Sequence, residues 1–132
     1  MWKIIRLELA RTPEFPSGRH DCGYEITAPV DATGHLAAAE WAKARTRAVV
    51  RRFWHDQDEQ HGNLIHTRHR TWAFSYRPGE EDDEPLYRLE SHRLVEGEYV
   101  SVSENGVVLP FHIVSVRPFG TDAMAKVEIT AR

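Results

Sequence analysis

The stretch EYVSVSENGVVLPFHIVSV, residues 98–116, constrains the fold more than any other part of the chain. Two runs of alternating character flank Asn105-Gly106, a dipeptide that supplies the positive φ angles of a tight hairpin turn. A chain carrying it must lay at least two strands antiparallel. In the second arm Val107, Leu109, Phe111 and Ile113 alternate with Val108, Pro110, His112 and Val114, so both faces are largely apolar. Such a strand is central in its sheet or curls at Pro110.

Other stretches share the period of two. In WKIIRLELA, residues Ile5, Leu7 and Leu9 oppose Arg6 and Glu8, and YEITAP gives a short strand ending at Pro29. Between them RTPEFPSGRHDCG, with two prolines and two glycines, reads as a long loop. TWAFSYR places Trp72, Phe74 and Tyr76 on one face, and LYRLESHRL alternates Tyr87, Leu89 and Ser91 against Arg88, Glu90 and His92 as its antiparallel partner. AMAKVEITA adds a strand with Ala125, Val127 and Ile129 opposite Lys126 and Glu128.

One segment breaks the pattern. From about His35 to Trp54 the chain is rich in strong helix formers, and Asp31 and Thr33 stand where they could cap a helix. At 100° per residue Ala39, Ala42, Thr46, Val49, Val50 and Phe53 fall within one arc, with Arg45, Arg47, Arg51 and Arg52 outside it. The expected fold class is therefore α+β: a strongly curved, mostly antiparallel sheet or small barrel of about seven strands, with one long amphipathic helix packed on it. At 132 residues this is a single domain, 1–132. With four Trp, four Tyr and five Phe it has the side chains for a core without staples.

Several classes of function are disfavoured. Cys22 stands alone, so neither an internal disulfide nor a multi-cysteine zinc site is available. MWKIIRLELAR lacks the apolar core of a secretory signal, and no run reaches the length of a membrane span, which gives a cytoplasmic location as the expectation. A net charge of −3 argues against a general nucleic-acid binder. The charge is nevertheless uneven: Lys43, Arg45, Arg47, Arg51 and Arg52 form a basic run, and residues 80–84 (EEDDE) form an acidic one.

HDQDEQHGNLIHTRHR, residues 55–70, gathers four of the eight histidines and three acids. If the helix continued past Trp54, His55 would lie beside Asp58 and Glu59 and the three could share a cation, with zinc as the cofactor. No HExxH, cysteine pair or EF-hand loop supports that, and the stretch reads more simply as a helix end followed by a polar connection, with no cofactor. Arg88, Glu90 and His92 share a strand face that His112 could approach, a row able to bind an anion or support acid–base chemistry, although a salt-bridge ladder is the plainer reading. His20-Asp21-Cys22 offers a thiol near an imidazole, but a free cysteine usually behaves as a small buried hydrophobe. The basic run with Trp72, Phe74 and Tyr76 could serve single-stranded nucleic acid if the rings were exposed; three aromatics alternating with small residues more simply build a core.

The segments GHLAAAEWAKARTRAVVRRFW, GNLIHTRHRTWAFSY and EPLYRLESHRLVEGEYVSVSENGVVLPFHIVSV resemble small bacterial proteins; the resemblance implies no activity and transfers no site residue. The expectation is a non-enzymatic domain that binds a small ligand or protein partner on a curved sheet. A metal-assisted or acid–base enzyme and a single-strand nucleic-acid binder are the alternatives.

Overall fold

The computed structural model describes residues 1–66, 71–76, 84–87, 93–104 and 106–119. Eight strands occur among them: β1 (Trp2–Leu9), β2 (Arg19–Pro29), β3 (Val49–Trp54), β4 (Gln57–His66), β5 (Trp72–Ser75), β6 (Glu84–Tyr87), β7 (Tyr99–Glu104) and β8 (Val107–Pro118). Each pairs antiparallel with the next, and β8 returns to pair with β1, closing an up-and-down barrel. The hairpin at Gly106, whose φ is 82°, joins β7 to β8 as its sequence demands.

Alternation sends every second side chain inward, and an eight-stranded barrel is about wide enough for side chains to fill it. Ile5, Leu7 and Leu9 of β1, Ile26 of β2, Val50 of β3, Leu64 of β4, Val100 and Val102 of β7, and Phe111 and Ile113 of β8 are all buried. Tyr24 is central: its ring centroid lies 4.7 Å from Phe74 and 5.1 Å from Phe111, so three strands meet at one aromatic cluster. Each such side chain contributes about 1.5–3 kcal/mol by leaving water. Register shifts at Glu8/Leu9 and Arg6/Leu7 bend β1 toward both of its neighbours, the local coiling that closure requires.

The long helix expected over 35–54 is not there, and the α+β class is corrected to a barrel of strands with one short α-helix among the described residues. Only Ala38–Lys43 is α-helical (α1), followed by a 3₁₀ turn at Arg45–Arg47, and Val49–Trp54 is β3. VVRRFW satisfies a period of two as well as it does 3.6. As a strand it turns Val50, Arg52 and Trp54 inward, and it hydrogen-bonds β2 on one side and β4 on the other. Two ladders outweigh a few tenths of a kcal/mol per residue of helix propensity. The helix also lacks its expected caps: its N-cap is Ala37, while Asp31 instead accepts hydrogen bonds from the backbone N–H groups of Thr33 and His35.

The same correction removes the polar connection after Trp54. His55-Asp56 is a tight turn, and QDEQHGNLIH is β4, whose first five residues are exposed on both faces. Pairing with β3 rather than burial makes this half a strand. The segment 30–48 crosses the barrel end where β2 finishes and β3 starts, held by Ala37 N–H to Pro29 O and Leu64 N–H to Ala48 O. Trp41, its buried anchor, lies outside the arc expected to face the sheet; Ala39 and Ala42 of that arc are exposed.

Outside the barrel, charges cross from strand to strand. Glu25 of β2 lies within 3.4–3.8 Å of Arg6, Arg51 and Arg117, while Arg51 also pairs with Glu59 at 2.6 Å and Arg6 with Glu8 at 2.8 Å. Phe53 lies beneath the guanidinium groups of Arg6 and Arg51, which explains how an outward aromatic is covered. No helix among the described residues is long and apolar enough to cross a membrane. The strand expected over 123–131 lies outside the described residues.

Candidate functional site

The residues singled out from the sequence divide into three groups. His55 sits in the β3–β4 turn, its ring edge-on to Phe15 at 6.0 Å, while Asp58 and Glu59 are neighbours on β4 and so point to opposite faces. Glu59 is held by Arg51. The three are not brought together, and among the described residues no three His, Cys, Asp or Glu side chains are grouped to hold a metal ion. Of the second group, Arg88, Glu90 and His92 lie outside the described residues. His112 is on β8 across from Tyr99, the two rings stacked at 5.9 Å.

The third group is settled by its surroundings. Arg19 donates two hydrogen bonds of 2.7 Å to Asp21, and these hold the Asp21 carboxyl at about 2, well below the usual range. Cys22 is fully buried, and burial pushes its thiol up, against a smaller opposing effect from a backbone hydrogen bond at His55. A buried neutral thiol is a poor nucleophile. Cys22 should therefore react with a disulfide reagent about two orders of magnitude more slowly in native buffer than in urea. Equal rates, followed at 412 nm, would show that the thiol is accessible. A hollow of about 350 Å³ between residues 14–18 and the start of β2 is lined by Arg19 and Asp21, whose charges are spent on each other.

A different place has the character of a site. A groove of about 480 Å³ runs between the α1–3₁₀ segment and β4, with Ser75 and Tyr76 forming its far wall. Its back is a fixed aromatic cluster. The Trp41 indole N–H donates to the Leu64 carbonyl oxygen at 2.8 Å, and its ring meets Trp72 and His66 edge-on at 5.6 and 5.9 Å. His66 stands directly across from Trp72 in the β4–β5 ladder and stacks on it at 4.4 Å. Above this, the Arg45 guanidinium lies 4.9 Å over the Trp41 ring. Each partner restrains the next, so the cationic head is presented from a rigid base.

The floor depends on Gly62. A Cβ there would overlap the Ser75 carbonyl oxygen and stand 2.8 Å from Tyr76 Cδ1, so the absence of a side chain lets the tyrosine ring close over the strand. Asn63 fixes the opposite rim by donating its side-chain N–H to Ala48 O at 3.2 Å. Arg45, His61, His66 and Tyr76 each belong to runs conspicuous in the sequence, but no pattern marks out Trp41, and nothing local signals that residues 41–46, 61–66 and 75–76 converge. Closure of the barrel does that.

Trp72 and Phe74 point into the barrel and are buried, so they offer no platform to nucleic-acid bases. Tyr76 alone of the three is half-exposed, at the groove. No protein family, curated protein or solved structure matches the chain.

Proposed function

We propose that this domain binds a small ligand reversibly, and that the groove between the α1–3₁₀ segment and β4 is where it does so. The observation that carries this reading is a concave site of about 480 Å³ backed by an aromatic cluster whose members are pinned by hydrogen bonding and stacking. Ligand pockets are typically about 300–1,000 Å³, largely preformed, with apolar walls and a few placed polar groups. Here Trp41, Ile65 and Tyr76 supply the apolar surface, and Arg45, Thr46, His61 and Asn63 supply polar groups at the rim. A small molecule suits this concavity better than a protein face, since standard protein interfaces bury about 800 Å² per partner over flatter surfaces.

The reading is tested by fragment screening with ¹⁵N-labelled full-length protein. Binders should shift the Trp41 indole N–H together with the amides of Gly62 and Asn63. Fragments that bind but perturb only the loop around Arg19, or only the Tyr99–His112 face, would place recognition elsewhere and end this assignment. Loss of binding in Tyr76→Ala, with the remaining amide positions unchanged, is the expected supporting result.

A further inference from the structure

We infer that the groove selects an anion, the carboxylate or phosphate group of a small molecule, and that Arg45 is the residue that receives it. The inference rests on the groove being the ligand site. Among the described residues its lining contains no aspartate and no glutamate, while it holds one permanent cation and two imidazoles. Among the described residues Glu59 comes within 3.7 Å of His61 at the groove's rim, and that carboxylate is already engaged by Arg51 at 2.6 Å.

Arg45 differs from the arginines of the barrel wall. Arg6, Arg19, Arg51 and Arg117 each have a carboxylate within ion-pair distance. Among the described residues Arg45 has none; its contact is the face of Trp41. Stacking occupies the flat face of a guanidinium and leaves the in-plane N–H groups to donate, in a fork that matches carboxylate and phosphate oxygens. Because Trp41 is fixed by its bond to Leu64 O, the fork is positioned before a ligand arrives, which lowers the ordering cost of binding. Thr46, next in the chain and also at the groove, adds a hydroxyl donor.

Two matched pairs test this with the full chain: naphthalene-1-carboxylate against its neutral carboxamide, and phenyl phosphate against phenol, each titrated while the Trp41 indole N–H and the Gly62 amide are followed. The charged member of at least one pair should bind about tenfold tighter. Whichever pair shows the larger ratio identifies the anionic group. Arg45→Gln should bring the ratio close to one, and Arg45→Lys should restore it only in part, because an ammonium is a point charge without the fork. Arg45 is exposed, so both variants keep the fold, which the unchanged amide positions elsewhere will verify. Equal affinity of charged and neutral members at these resonances would overturn the anion assignment and leave the ligand site standing. A tenfold ratio that survives Arg45→Gln would overturn the role of Arg45. If no member of either pair, nor any fragment, moves these resonances, the ligand site itself falls.

Discussion

Gly23→Ala should lower the unfolding free energy by about 3 kcal/mol, shifting the thermal midpoint down by roughly 10 °C for a chain of this size. Gly23 lies in β2 across from Glu8, where the β1–β2 register shifts, and a Cβ there would overlap the Leu7 carbonyl oxygen and lie 2.9 Å from its carbon. Both obstacles are backbone, so no side chain can rotate away and the strands themselves must move. The shift would reach the core, because Leu7 and Tyr24 beside this contact are both fully buried. Gly97→Ala is the control. Its φ is 92° but nothing lies within 4 Å of the added carbon, so it should cost only about 1–2 kcal/mol of backbone strain. Urea titrations followed by tryptophan fluorescence separate the two, and equal costs would mean that β1 and β2 do not approach so closely.

Trp41→Ala should cost about 3–5 kcal/mol, the range for deleting a large buried ring. The indole joins the short helix to β4 and covers Trp72 and His66, so its loss removes packing from the barrel end as well as from the groove. Trp41→Phe keeps a ring but strands the Leu64 carbonyl oxygen without that donor, and about 1–3 kcal/mol should follow. Amide exchange provides the local readout: in Trp41→Ala the Leu64 N–H, bonded to Ala48 O, should exchange faster than amides in β7 and β8. Uniform acceleration across all strands would mean that Trp41 supports the whole barrel rather than this end.

Legibility in the sequence followed burial. The inward row Ile5, Leu7 and Leu9 could be read because alternation there coincides with one dry and one wetter side, the pair Trp72 and Phe74 because large rings alternate with small residues, and the β7–β8 hairpin because Asn-Gly marks its turn. The first half of β4 could not, since Gln57–His61 is exposed on both faces and the side-chain pattern records no sheet; backbone pairing with β3 alone makes it a strand. Residues 38–54 misled for a different reason. The alanines and arginines favour a helix locally, but VVRRFW fits two periodicities, and the pairing that chooses between them comes from Gly23–Ile26 and from residues after Trp54. Arg52 shows how far the outcome departs from pattern: it points inward at 4 % exposure, with Gln57 Oε1 accepting from it at 2.9 Å and its guanidinium over Trp54. The groove was legible only in parts, because its three contributing stretches become neighbours through closure.

Closure also orders events in time. The seam that completes the ring joins β1 to β8, pairing Lys3 with Pro118, while the other seams join strands consecutive in the chain. Hairpin ladders can form locally on microsecond scales, but the seam must wait for ends more than a hundred residues apart to meet, which places the chain among slow, high contact-order folders. Until that meeting β1 and β8 are both open edges, each able to accept a strand from another molecule. In the finished ring these two edges pair with each other, so their exposure to misassembly falls during synthesis and refolding rather than in the native protein.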